Sequence, residues 1–148
     1  MIYRGSCHCG AVRAAYESDV AVVLRQDGCG FCSARGVKSA SDPNGRLTLE
    51  STLSLTRYRF GHKTAEFLIC PRCGAFVAAQ MDSPRGPVAV LNVVGVSIPE
   101  LKDEEATFAS LDGEAEDERI ERRLSRWTPL VLLETATRLS KSRHEVTL

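Results

Sequence analysis

The sequence predicts a small, mainly β, antiparallel architecture with a C-terminal amphipathic helix. Three observations predict it: short segments of period-two alternation separated by turn residues up to about residue 98, six cysteines that all fall in tight pairs, and a change near residue 100 to an acidic stretch followed by arginines at helical spacing. A chain of 148 residues fits one domain, because domains cluster at ~100–150 residues. We expect a single domain over 1–148, with a β core at about 3–98 and a helical extension at about 100–128. Apolar residues at 43%, charged residues at 26% and a formal net charge of zero exclude a disordered chain and a generic polyanion coat. The first residues run into a cysteine pair without an apolar signal core, and the apolar stretch 88–96 is broken by Asn92 and Gly95. A cytoplasmic protein without a membrane segment is therefore expected.

Taken in order, a turn carrying Cys7 and Cys9 feeds a strand in which Val12, Ala14 and Tyr16 share one side. Residues 20–24 form a continuous apolar, β-branched run, read as a strand buried on both faces that delivers the chain into Asp27-Gly-Cys29-Gly-Phe-Cys32. Residues 33–40 are read as one helical turn or a loop, and Asp42-Pro-Asn-Gly45 as a turn. Leu47, Leu49, Leu53 and Leu55 alternate with polar residues, giving one half-buried strand or two joined near Ser51. Tyr58 and Phe60 begin another alternation, residues 61–63 turn, and 65–69 lead into Cys70-Pro-Arg-Cys73-Gly74 at a hairpin tip. A further turn at 83–87 precedes an apolar strand within 88–96.

Between Glu100 and Glu118 stand nine acidic residues against one lysine, followed by Arg119, Arg122, Arg123 and Arg126. Acids in the first turns and arginines in the last complement a helix dipole, so 113–127 reads as a helix. Its stripe Ile120, Leu124 and Trp127 is expected to dock on the β core, leaving a solvated charged face. Residues 130–133 are read as an edge strand and 141–148 as a frayed tail.

The cysteine pairs are Cys7/Cys9, Cys29/Cys32 and Cys70/Cys73. Without a secretory signal, such spacing points to metal knuckles or a redox dithiol more than to a disulfide framework. In Cys70-Pro-Arg-Cys73-Gly74, proline sets the turn and glycine permits a left-handed exit. One knuckle supplies half a tetrahedron. Cys7 and Cys9 supply the other half, making a four-thiolate structural zinc that leaves Cys29 and Cys32 for a different task. A closed shell of this kind gives zinc no open position for catalysis. His8 is read as solvent-facing or packing, outside the ligand set.

The motifs Gly5-Ser-Cys-His-Cys-Gly-Ala-Val-Arg13, Cys29 with Cys32, and Phe67-Leu-Ile-Cys-Pro-Arg-Cys-Gly74 after a tyrosine-containing strand are similar to those of a known family. Over roughly residues 3 to 98 the chain resembles the glutathione-dependent formaldehyde-activating enzymes, also called the centromere protein V-like family. The resemblance implies a mostly antiparallel β fold, a structural zinc on Cys7, Cys9, Cys70 and Cys73, and a second, labile zinc on the middle motif that serves catalysis. The family motif is usually Cys-x-Cys-x-x-Cys, and Asp27 stands here at its first position. A carboxylate is a permissible zinc ligand that keeps the shell's formal charge. Being harder than sulfur, it holds the metal less tightly and leaves it more electrophilic. Asp27, Cys29 and Cys32 are thus the implied catalytic residues and second zinc ligands.

The implied reaction joins glutathione to formaldehyde or a related aldehyde, or runs in reverse as a carbon–sulfur lyase, with zinc as Lewis acid and template. The implied partners are a small-molecule thiol and an aldehyde. Arg35, Lys38, Arg57, Arg59, His62 and Lys63 are unranked candidates for glutathione's carboxylates. Two other readings stay open: a non-catalytic zinc-stabilised binding module, if Asp27 removes the second metal, and a C-G-x-C dithiol redox protein. Chromosome-associated members of the family would suggest nucleic acid. Zero net charge and the lack of a basic arm argue against it.

Overall fold

The computed structural model describes residues 1–111 and 113–135. The expected frayed tail at 141–148 lies outside them. The described residues form β1 (Ile2–Ser6), β2 (Val12–Glu17), β3 (Arg25–Asp27), α1 (Gly30–Ala34), β4 (Ser39–Ala40), β5 (Arg46–Ser51), β6 (Thr56–Tyr58), β7 (Glu66–Ile69), β8 (Phe76–Met81), β9 (Val88–Asn92), β10 (Thr107–Ala109), α2 (Glu116–Arg126) and β11 (Thr128–Glu134). The fold is mainly β, as expected, and among the described residues α2 is the C-terminal of two helices. Among the described residues no helix is long and apolar enough to cross a membrane.

One sheet runs β1-β2-β5-β11-β9-β4-β3-β10, and the β6-β7-β8 meander joins it where β8 pairs with β9. Pairing is antiparallel except for β11 with β5 and β10 with β3. The alternation of 47 and 49 becomes β5, whose burial alternates along its length. It ends at Ser51, whose hydroxyl donates to the Leu53 carbonyl and turns the chain out of the ladder. Leu53 and Leu55 therefore do not extend the strand. The Asp42 turn closes with Gly45 N–H donating to the Asp42 carbonyl at 2.9 Å.

Residues 20–24 differ from expectation. Val20 and Val23 are 60% and 62% exposed, Leu24 alone of the run is buried, and the strand begins only at Arg25. β-propensity reports fit to a half-buried pleated surface, and 20–24 takes part in no strand pairing of the described ladders. Residues 130–133 differ too. They lie in β11, which sits between β5 and β9 inside the sheet and is no edge. Its last residue, Glu134, pairs with Arg57 and accepts from the Leu55 amide at 2.9 Å, tying the strand's end to the chain before β6.

Among the described residues the buried side chains form two clusters. The larger, around Tyr16, Leu47, Leu49, Leu91 and Val96, fills the sheet that carries Cys7 and Cys70. The smaller contains Cys32, Val37, Phe76 and Trp127, and receives Ile120 and Leu124 of α2 against it. The predicted stripe thus docks as expected. The helix is shorter than 113–127, starting after Ala115 and ending where the Trp127 amide donates to Arg123 O at 2.8 Å.

Candidate metal centres

Among the described residues, two groups of side chains could hold a metal ion: Cys7, Cys9, Cys70 and Cys73, and Asp27, Cys29 and Cys32, each with its ligand atoms within 4.8 Å of one another. All six cysteines are free thiols.

The first group is built from two matching turns. Gly10 N–H donates to Cys7 O and Gly74 N–H to Cys70 O, each at 2.9 Å, and both glycines take positive φ, at 81° and 78°. An L side chain there would strain the exit of the turn. The first turn joins β1 to β2; the second is the tip between β7 and β8. A tetrahedron of thiolates at ~2.3 Å from zinc has edges of about 3.8 Å. The Cys7 and Cys9 sulfurs are 3.7 Å apart and those of Cys9 and Cys70 3.6 Å, so the spacing fits an ion of that size. Backbone amides already serve the sulfurs, with Val12 N–H 3.3 Å from Cys7 Sγ. Burial and the neighbouring thiols push Cys7 up to about 11 despite that amide. Burial acts upward on Cys73 as well, but the Cys9 and Ala75 amides and the Cys70 and Cys7 thiols outweigh it and bring it down to about 6. Four sulfurs this close cannot all ionise unless a cation lies among them.

The second group sits where β3 hands over to α1. Asp27 Oδ1 accepts the Cys29 amide at 2.9 Å, an Asx turn, and Cys29 caps α1 by accepting the Cys32 amide on its sulfur at 3.5 Å. Between the two cysteines, Phe31 anchors the helix in an aromatic cluster, its ring centroid 4.9 Å from that of Phe67, 5.0 Å from Phe76 and 5.3 Å from Phe60. Burial raises the Cys32 thiol far above its usual range, helped by the charges of Cys29 and Asp27.

The two groups differ in what they face. Asp27, Cys29 and Cys32 line a cavity of about 320 Å³, and none of Cys7, Cys9, Cys70 or Cys73 does. Phe60, Phe67, Phe76 and Trp127 contribute aromatic rings to its wall. Its basic residues are Arg25 of β3 and Arg119, Arg122, Arg123 and Arg126 of α2. None of the six basic residues expected to meet glutathione's carboxylates is among its described lining residues. Arg35 stacks over the Phe31 ring at 3.8 Å, and Lys38 Nζ donates to the carbonyls of Lys102 and Glu104. Arg57 pairs with Glu134 and Arg59 with Glu66, while His62 and Lys63 are exposed in the turn after Phe60.

The arginines of α2, expected on a solvated face, line the cavity instead, and their i, i+3, i+4, i+7 spacing is the sequence signal that they share one side. Arg123 is only 8% exposed; its Nη1 donates to Thr64 Oγ1 at 2.7 Å, its Cζ lies 4.8 Å from the Trp127 ring, and its buried Nε has no partner. Burial, with Arg122 and Arg119 nearby, lowers it to about 10, so it remains a cation at neutral pH.

No protein-family model matches the chain. Among solved structures, a Rhodobacter sphaeroides protein known from a crystal structure is 29% identical and has a TM-score of 0.53. The similarity covers 72% of this chain and 99% of that one.

Proposed function

We propose that the chain is a zinc-dependent carbon–sulfur lyase and synthase acting on thiol–aldehyde adducts, of the glutathione-dependent formaldehyde-activating type, working in the cytoplasm. The observation that carries this reading is the division of the cysteines: four form a compact set away from the cavity, and two join Asp27 on its wall. On this reading Cys7, Cys9, Cys70 and Cys73 hold a structural zinc, and Asp27, Cys29 and Cys32 hold a second one. Three protein ligands are the usual complement of a catalytic zinc, which keeps a position for substrate.

When bound there, zinc supplies Lewis acidity for thiol ionisation and carbonyl polarisation. The chain's own residues do the rest. Asp27 fixes the Cys29 amide through Oδ1, so the turn is set and its other oxygen is left for the ion. The Phe31 cluster anchors the turn that carries both sulfurs, and the rings of Phe60, Phe67 and Phe76 give the cavity beside them an apolar wall. In the reaction a sulfur–carbon bond forms as the carbonyl π pair moves to oxygen, and the thiol proton ends on that oxygen. The reverse breaks the same bond, and no redox partner is needed. Exchange spectroscopy on glutathione and formaldehyde tests the reading: the zinc-loaded protein should accelerate adduct exchange and Cys29→Ser should not. Uncatalysed exchange with the wild type contradicts it.

The adjacency of Cys29 and Cys32 at the start of α1 favours a second reading, a C-G-x-C dithiol. A thiol pair that closes reversibly to a disulfide in metal-free protein, with no adduct exchange in zinc-loaded protein, would establish it instead. Absence of both activities leaves a zinc-stabilised binding module.

A further inference from the structure

Phe31 stands between Cys29 and Cys32 in the chain, and three rings that line the cavity gather around it. Its centroid lies 4.9 Å from that of Phe67, 5.0 Å from Phe76 and 5.3 Å from Phe60. Phe67 is in turn 4.6 Å from Phe60 and 5.5 Å from Phe76, so the three make one continuous aromatic wall. Cys32 belongs to the same buried cluster as Phe76 and Trp127, and Cys29 and Phe67 pack against that cluster. Both cysteines are therefore set among apolar side chains. Val23, exposed although apolar, lines the same cavity from the chain before β3.

Covering such a wall with apolar ligand surface is favourable roughly in proportion to the area removed from water. Formaldehyde has no substituent on its carbonyl, and glutathione is polar or ionised along most of its length, so their adduct has little to lay on three rings. A cavity of about 150 Å³ is enough for benzene. This one, at about 320 Å³, has room for a ring beside the adduct's own atoms.

We infer that the aldehyde taken by this site carries an apolar aryl group, which lies on Phe60, Phe67 and Phe76 while its carbonyl carbon meets the thiol sulfur beside Asp27, Cys29 and Cys32. Rings pair offset or edge-to-face at centroid distances of ~4.5–7 Å, which favours an aryl group over a branched chain on this wall. The inference rests on the thiol–aldehyde reaction proposed above and narrows its substrate. The step itself is unchanged: the sulfur–carbon bond forms, the carbonyl π pair moves to oxygen, the thiol proton ends there, and the aryl group takes no part.

The experiment is calorimetric titration of the full chain, loaded with zinc, with S-(2-phenylethyl)glutathione and with S-methylglutathione. The first mimics the adduct of phenylacetaldehyde and the second that of formaldehyde, and neither can turn over. The phenylethyl compound should bind at least about tenfold more tightly, the discrimination an apolar pocket gives to a group of that size. The ratio should fall by about threefold or more in Phe60→Ala, the worth of one aromatic pair, and persist in Ile2→Ala, an exposed apolar residue of β1 away from the cavity. Phe60 is half-buried and lies between β6 and β7, so its variant is expected to fold; Phe67→Leu, which keeps an apolar side chain but no ring, should lower the ratio in the same direction. Equal binding of the two compounds by the wild type, binding of neither, or a ratio unchanged in both ring variants overturns the inference. A phenylethyl preference without adduct exchange sinks the lyase reading and leaves the aryl subsite standing; exchange on glutathione and formaldehyde without that preference sinks the subsite alone.

Discussion

The sulfurs of Cys9 and Cys70, 61 positions apart in the chain, stand 3.6 Å from one another. They join the turn between β1 and β2 to the hairpin tip between β7 and β8, two elements that are not neighbours in the sheet. A metal there closes a long loop, and its binding energy is folding energy. Cys70→Ser is expected to leave the chain unfolded or to lower its melting temperature by more than about 10 °C, a shift that a loss of a few kcal/mol produces in a domain of this size. Circular dichroism melts check it, and an unchanged transition would assign the four cysteines wrongly.

Asp27 has two tasks that substitution separates. Asp27→Asn keeps an oxygen for the Cys29 amide, now at 2.9 Å, but removes the charge; Asp27→Ala removes both. Both variants should lose the second metal while staying folded. Alanine should cost about 1 kcal/mol more in denaturant titration, the worth of one hydrogen bond. Full metal retention in Asp27→Asn would show that the carboxylate is only a turn-former.

Much of the β framework was legible because its signals are local. Leu47 and Leu49 alternate with polar neighbours on a half-buried strand, and Cys70 to Gly74 carries its own turn chemistry. The grouping of Cys7 and Cys9 with Cys70 and Cys73 was legible from ligand number. What failed depends on partners that no local pattern names. Val20 and Val23 have good strand propensity and no ladder to join, so they stay exposed. The 130–133 stretch reads as an edge strand, since nothing local names its neighbours, yet Thr128 to Glu134 threads between β5 and β9. Arg119 to Arg126 looked like a solvated face because helix charge patterning does not reveal that Trp127 and Leu124 dock the helix beside a cavity.

Gly95 and Gly30 make a matched pair. A Cβ on Gly95 would collide with the backbone carbonyl oxygen of Phe76, whereas one on Gly30 meets nothing within 4 Å. Backbone cannot move aside as a side chain can, so Gly95→Ala should destabilise by more than about 3 kcal/mol. Gly30→Ala, at the first position of α1, should be neutral or slightly stabilising by helix propensity. Urea titrations of the two variants decide it, and equal midpoints would contradict the packing described.

Glu114 links the chain before α2 to Arg119 and Arg122 on it, and the Arg122 hydrogen bond, against burial, holds its carboxyl below the usual value. A depressed folded-state pKa means stability present above the unfolded value near 4.5 and lost as pH falls below it. Glu114→Gln should cost about 1 kcal/mol at pH 7. The gap between variant and wild type should close on acidification through pH ~4. Parallel melting curves from pH 7 downward, with a constant gap, would show that the ion pairs contribute nothing.

The most direct test of the account is metal content per chain, measured on purified wild type and on Cys29→Ser. A closed four-thiolate site beside a separate Asp27, Cys29 and Cys32 site predicts two zinc ions in the wild type and one in the variant. One zinc in both, with two titratable thiols in the wild type, would contradict it.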